Sequence, residues 1–477
     1  MELGPQLNKN DHSFSSRDSL GIEGVVASMS ADVCPIVNTV TPRAFYWPFM
    51  VWIYYDFYKY SGIKERNYTV FNKFLKRQDY FFVMASLLVG GDEMNLVGKT
   101  QAYEDIKGDG PYPFNESYFK PRFGGMQYYN AGCITMRFVT DRDENGNPLK
   151  FPKLTPAGEE MAISFLEVIK DTEYYKHYRH GDVDVPKDVL IEYGNVISLS
   201  MKGFEKSKEL LKKRLIDPNA QIQKCIAYLK YLYDDYGMTS LSLEQSRRAF
   251  FDHFTPEGKP ISSRDDISGV MKAWEIIVGR MYFSVGLEMI WKPMLELIKS
   301  PANLSDWIGM MLDISELSWD LDEPLESFID ECYYTFDERE EMIRTARYGR
   351  NPELGLENGL KVMFSIYNWL KENMPFGDEQ SLIYYGADNH SISLAEFVDT
   401  VDEYKGDSLE NFVLFVMETW LVKQHYITAF EKALYGIDGF FYEIVDGEYH
   451  KTHDFSIDFQ NNRMTQLLQV MKDLDLL

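Results

Sequence analysis

The sequence predicts a mainly α protein with small β-hairpins: a helical body with winged-helix-like units near its N- and C-terminal ends. Three observations carry this. Apolar residues recur at helical spacing through most of 203–435, whereas only two short stretches beside polar turns suggest hairpins. The composition, 45% hydrophobic and 26% charged over 477 residues, is that of a folded globular chain with room for several domains. No internal repeat of fixed period is present, which argues against a regular solenoid.

Residues 1–17 read as a flexible tail. An N-terminal helical domain follows over 18–172, with apolar clusters at 45–60 and 70–89 and breaks at Pro35, Ser61-Gly62 and Gly90-Gly91. The stretch 92–127 is rich in Gly, Pro and Asn and reads as loop. Ile134, Met136 and Phe138 alternate with Thr135 and Arg137, which predicts a strand; Asp143-Glu144-Asn145-Gly146-Asn147 is a turn, and 149–153 returns. Thr155 before Pro156 is a helix start, followed by the stripe Met161, Ala162, Phe165, Leu166 and Ile169. Helix, hairpin and helix in that order suggest a winged-helix-like unit.

A helical middle domain is expected over 173–405, with helices at 204–215, 221–233, 265–298, 324–347 and 359–373. Pro293 should kink or divide the third. The C-terminal unit, 406–477, repeats the helix-hairpin-helix theme. It has a helix over 408–434, strands at 440–445 and 448–451 about Asp446-Gly447, and a last helix carrying Met464, Leu467, Leu468, Met471 and Leu474.

With 49 Lys+Arg against 74 Asp+Glu the formal charge is −25, which repels phosphate and excludes a general nucleic-acid binder. An acidic surface suits basic protein partners. Cys34, Cys133, Cys225 and Cys332 are scattered and form no C-x-x-C pair, so they read as core filler in a reducing cytosol. The polar N-terminus is no signal peptide, and the uncharged runs 44–55 and 80–91 are too short to span a bilayer. A cytoplasmic protein without a membrane partner is expected.

The chemistry-bearing motifs are weak. The string from Gly90 to Thr100 lacks the glycine a phosphate loop needs, because Glu93 stands there. His177 with His180, and His450 with His453, have helical metal-ligand spacing but lack a clear third ligand, so surface histidines are the better reading. Glu257-Gly258-Lys259 and Glu403-Tyr404-Lys405 match half of a metal-dependent nuclease motif, neither on a strand. No catalytic residue, metal or cofactor is therefore assigned.

Two charged tracts remain. Lys202, Lys206, Lys208, Lys212, Lys213 and Arg214 make a basic helix face that could meet phosphate or an acidic partner. Over 306–341 the chain is strongly acidic, with Asp320, Asp322 and Glu323 beside Trp319 and with Trp307 nearby. Such a surface suits a basic partner.

The most distinctive text is Leu20-Gly21-Ile22, then Pro35 onward with Thr41, Arg43, Ala44, Tyr46, Phe49 and Trp52. It resembles a set of mostly uncharacterised bacterial proteins encoded in phage- and plasmid-defence gene clusters. Ile36 and Phe45 depart from that pattern, replacing its glycine and second arginine. The stretch 154–159 and the C-terminal helix are also similar to the group. The resemblance implies an accessory subunit, the non-enzymatic third component of a Lamassu-like system. Its implied partners are an ATPase of the structural-maintenance-of-chromosomes (SMC-like) type and a nuclease effector, with DNA reached only through the complex. Arg43, Tyr46 and Trp52 would then be packed within the domain or presented to a partner. A DNA-sensing subunit using the basic face, and a divergent metal-dependent nuclease using Glu257 or Glu403, are the rival readings.

Overall fold

The computed structural model describes residues 13–14, 18–60, 67–90, 96–118, 128–217, 222–315, 317–349, 351–373, 378–387, 391–459 and 462–477. The protein is 61% helix and 7% strand, with two small antiparallel hairpins. It forms two compact units: one from 31–243 and 462–477, the other from 1–30 and 244–461. This division differs from breaks at 172 and 405, and each unit is assembled from two separate stretches of chain.

The first, an aromatic unit, is built on the helices Tyr46–Lys59, Tyr68–Leu88 and Pro156–Ile169. Asn67 and Thr155 are their clearest start signals: each side chain accepts a hydrogen bond from the amide three residues on, Val70 at 3.0 Å and Gly158 at 3.1 Å. Phe45 is a hub of the core, its ring 4.9 Å from Phe82 and 5.6 Å from both Phe165 and Phe204. The closing helix, Arg463–Asp473, buries Met464, Leu467, Leu468 and Met471 in the same unit.

One expected strand fails. Residues 130–135 form a short helix, and the first hairpin pairs Val139–Arg142 with Pro148–Leu154. Exposure still falls on Thr135 and Arg137 and burial on Met136 and Phe138, so the alternation is real. It arises from a helix end and the left-handed Arg137 (φ +57°), not from a strand.

The second, a long-helix unit, is centred on Ser268–Leu297, which is buried nearly all round. Pro293 does not divide this helix: it stands in the last turn, where little helix remains to disrupt. The helix packs against Gly355–Glu372 at close range. A Cβ on Gly286 would lie 3.0 Å from the Gly359 carbonyl oxygen, and one on Gly359 would lie 2.7 Å from that of Gly286.

The helix expected over 324–347 is instead two, Leu325–Ile329 and Phe336–Tyr348. The second starts at a capping box between Thr335 and Glu338. The 408–434 segment runs as Leu409–Phe415, a π-helical stretch Val416–Lys423, and Gln424–Leu434. Its hairpin, Tyr442–Val445 with Glu448–Lys451, turns through Asp446 and Gly447, both at positive φ as a two-residue turn requires. That hairpin belongs to the long-helix unit, whereas the last helix belongs to the aromatic one.

Of the expected tail, Ser13–Phe14 is a strand paired parallel with Ile437–Asp438. The rest of 1–17 lies outside the described residues.

Candidate interaction surface

The aromatic candidates do not form a surface. Tyr46, Trp52 and Trp307 are fully buried, and Arg43 is nearly so. Arg43 Nε donates to Asp473 Oδ2 at 2.9 Å, and the Ala44 amide donates to the same oxygen at 3.0 Å. Its charge is spent inside the unit, tying the 43–44 turn to the C-terminal helix. Trp307 donates its indole N–H to the Met294 carbonyl at 2.6 Å and packs on Tyr449. Aromatic text of this density is core text, and presentation of these four side chains to a partner is corrected by their burial.

The basic helix, Glu205–Leu215, is largely neutralised within its own unit. Lys208 is buried and pairs with Asp475 at 2.9 Å, Lys212 with Glu209 at 2.9 Å, and Lys206 with Glu167 at 4.0 Å. Arg214 lies over the Phe138 ring, and Lys202 and Lys213 stand exposed on this face.

The acidic tract is a surface. Asp320, Asp322 and Glu323 are exposed, and Trp319 is half-buried, its ring 4.8 Å from Phe328 with the Lys361 ammonium over it. Glu340 is the exception: it is buried, receives Arg247 Nε at 2.8 Å and the Tyr282 hydroxyl at 3.0 Å, and belongs to the core. Glu316 and the Asp92-Glu93 pair lie outside the described residues.

The histidine pairs do not assemble a metal centre. Among the described residues no three His, Cys, Asp or Glu side chains converge on a cation position. His180 is nevertheless not a free surface group: its Nε2 lies 3.1 Å from the buried Asp56, and its ring stacks on Phe74. His177 is exposed beside Glu173, and His453 sits near the Phe440 carbonyl at 3.3 Å. Glu257-Gly258-Lys259 forms a turn, and Lys405 pairs with Asp402 at 3.1 Å rather than flanking a metal. All four cysteines are free and buried.

One surface was not foreseen. The helix Gln424–Leu434 is inverted: its polar side chains Gln424, His425 and Thr428 face inward, while Tyr426, Phe430 and Leu434 face solvent at a spacing of four. Tyr435, which follows, is 85% exposed, the largest exposure of any bulky apolar or aromatic side chain in the described residues; Leu434 is 71% exposed, as is Tyr348 elsewhere, and Ile437 continues the patch. Surface helices of globular proteins normally turn the apolar stripe inward, and this one turns it outward. The stretch 416–454 around it carries seven acidic residues against three lysines. Two of those lysines are engaged internally: Lys432 with the Asp18 carbonyl and Lys451 with Asp454.

No signal in the sequence distinguishes this stripe from a core stripe, because periodicity reports that a helix is amphipathic and not which side is covered. No helix among the described residues is long and apolar enough to cross a membrane. No known protein family, curated protein or solved structure matches the chain.

Proposed function

We propose that the protein is a non-enzymatic docking and regulatory subunit of a cytoplasmic bacterial defence complex. It holds an SMC-like ATPase, a nuclease effector, or both, and keeps the nuclease inactive until foreign DNA is sensed. The observation that carries the docking part is the outward apolar face of Gln424–Leu434 with Tyr435 and Ile437, in an acidic setting. Burying that face against a partner's apolar helix would gain roughly 25 cal/mol per Å². The acidic residues around it favour a partner with basic flanks.

The first hairpin, which runs into the helix Pro156–Ile169, fits this reading as a protein-docking wing of a winged-helix-like kind, since a strongly acidic chain opposes a DNA-reading role. The nature of the complex rests on the sequence resemblance.

Co-expression of the tagged protein with its neighbouring genes, followed by native mass measurement, tests the proposal. The expected result is recovery of an ATPase or nuclease at fixed ratio, lost in Leu434→Glu with Tyr435→Glu. Reversing Asp320, Asp322 and Glu323 to Lys measures what the acidic tract adds. A lone 55.6 kDa monomer would overturn the subunit reading. Salt-dependent DNA binding lost on reversing Lys212, Lys213 and Arg214 would replace it with DNA sensing.

A further inference from the structure

The segment that leads into the helix Glu23–Val33 is held by its main chain. Four successive backbone carbonyls of 18–21 each accept a side-chain hydrogen bond. Lys432 Nζ donates to Asp18 at 2.7 Å, His425 Nδ1 to Ser19 at 2.9 Å, Gln424 Nε2 to Leu20 at 3.1 Å, and Ser391 Oγ to Gly21 at 2.9 Å. The tautomer of His425 follows from its other nitrogen, which accepts from the Phe441 amide at 3.1 Å and so carries no proton.

Three of these donors come from the inward, polar side of the inverted helix. Leu20 and Ile22 of this strap, residues 18–22, are themselves buried. Just upstream, Ser13–Phe14 adds to the edge of Ile437–Asp438 as a parallel strand. Consecutive carbonyls read by side chains, an apolar anchor and strand addition at one end are how proteins hold extended peptides.

The chain's own segment is an incomplete fit. Arg280 is 1% exposed, and among the described residues none of its three guanidinium nitrogens has a hydrogen-bond partner. The carboxylates of Asp18 and Glu396 act on it through space. Asp18 is instead turned to the start of the helix that follows: its Oδ1 accepts from the Glu23 amide at 2.8 Å and its Oδ2 from the Gly24 amide at 2.9 Å, and neither oxygen bonds Arg280. A buried guanidinium left without hydrogen bonds is costly. An extended segment that did not continue into a helix would leave an acidic side chain at that position free for Arg280.

We propose that residues 18–22 fill a peptide-binding groove of the long-helix unit, and that an extended acidic segment of another protein can occupy it in their place and pair its carboxylate with Arg280. The groove lies on the opposite side of the Gln424–Leu434 helix from the exposed apolar face and is independent of it.

The test uses a fluorescent synthetic peptide with the sequence of residues 13–22, which carries the Asp18 equivalent but no helix for it to cap. It is titrated into the full chain, into Gly21→Val and into a chain lacking residues 1–22. Gly21 has φ +69°, and a Cβ there would lie 2.7 Å from Thr428 Oγ1, so Val evicts the strap without deleting it. The expected result is binding about tenfold or more tighter to both altered chains than to the full one, because the internal occupant no longer competes.

Adding Arg280→Met to either altered chain, or replacing the peptide's Asp with Asn, is expected to weaken binding about tenfold. Leu434→Glu is expected to leave it unchanged, which separates this groove from the docking face. No gain of binding in altered chains that keep their helical circular dichroism overturns the proposal. So does loss of that signal in both, since the strap would then be integral core and not an exchangeable ligand. An unchanged affinity in Arg280→Met overturns the carboxylate assignment.

Discussion

The two units solve the same packing problem by different chemistry. The aromatic unit fills its centre with rings: Phe49 and Trp52 stack at 5.6 Å, Trp52 and Phe165 at 5.6 Å, and Phe165 and Phe204 at 4.8 Å. The long-helix unit places charges in its centre: Arg247 with Glu340, Arg339 with Asp252, and the lone Arg280 on the central helix. Rings tolerate neighbours of any orientation and lose contact area gradually. Buried charges demand particular partners and fail when one is removed. Both proposed sites, the apolar face and the strap groove, lie in the unit whose core carries these buried charges.

The largest effects should expose this difference directly. Glu340→Ala leaves Arg247 buried and unpaired and should destabilise the long-helix unit by about 3–5 kcal/mol, whereas Glu340→Gln, which keeps one acceptor, should cost less. Trp52→Ala empties a ring-sized volume from the aromatic unit and should cost about 3–5 kcal/mol as well, with no rescue by a polar isostere. Denaturant unfolding read by near-ultraviolet and far-ultraviolet signals checks both. Equal costs for Glu340→Ala and Glu340→Gln would show that the lost charge alone sets the penalty and that the retained volume and acceptor contribute nothing.

Titration separates the units next, with opposite signs. In the long-helix unit burial pulls the His425 imidazole down to about 4 from an ordinary value near 6.5. The unfolded chain then binds the extra proton between those values. This histidine's contribution, about 3 kcal/mol at full size, is present above pH 6.5 and lost as pH falls towards 4. In the aromatic unit burial pushes Asp79 up to about 8; its Oδ2 accepts from the Tyr118 hydroxyl at 3.3 Å, and among the described residues its Oδ1 has no hydrogen-bond partner. The folded form keeps the proton that the unfolded chain loses near pH 4, so the aromatic unit weakens as pH rises from 4 to 8. Thermal unfolding from pH 5 to 8.5 should show that weakening, and Asp79→Asn should flatten it and stabilise the unit at pH 8 by about 1–3 kcal/mol. An Asp79→Asn chain with an unchanged pH slope would place the titration elsewhere.

Much of the architecture was legible in the sequence because it rests on local chemistry. Thr155-Pro156, the Asp446-Gly447 turn and the 268–297 apolar run each dictate an element by backbone preference alone. The sites were not legible. The Thr41 to Trp52 text stands out as a string, yet its rings are packed inside, and Arg43 is paired with Asp473 some 430 residues away in sequence. Lys208 looks like one more surface lysine until Asp475 is placed beside it. The outward stripe of Tyr426, Phe430 and Leu434 has the same spacing as an inward one. Which side of a helix is covered, and which charge is spent internally, are properties of contacts between distant residues, and no local pattern encodes them.

The smallest effects sharpen the comparison at matched positions. Thr155 and Thr335 both cap helices, one in each unit, but in different company. Thr335 works locally in a capping box, accepting from the Glu338 amide at 3.4 Å and donating to the Glu338 carboxylate at 2.7 Å. Thr155 accepts from the Gly158 amide at 3.1 Å and also donates to the Arg137 carbonyl at 2.7 Å, so it fastens the first hairpin to the helix it starts. Thr335→Ala should therefore cost about 1 kcal/mol, the ordinary value of a cap, and Thr335→Ser almost nothing. Thr155→Ala should cost up to about 2 kcal/mol, because the cap and the tie to the Arg137 carbonyl are lost together. Amide exchange should localise the difference: faster exchange confined to the first turn of 336–348 in the one variant, and spread to 138–142 and 150–154 in the other. Exchange confined to residues 156–159 in Thr155→Ala would mean that the hairpin is held by its own ladder, and that the two caps are equivalent after all.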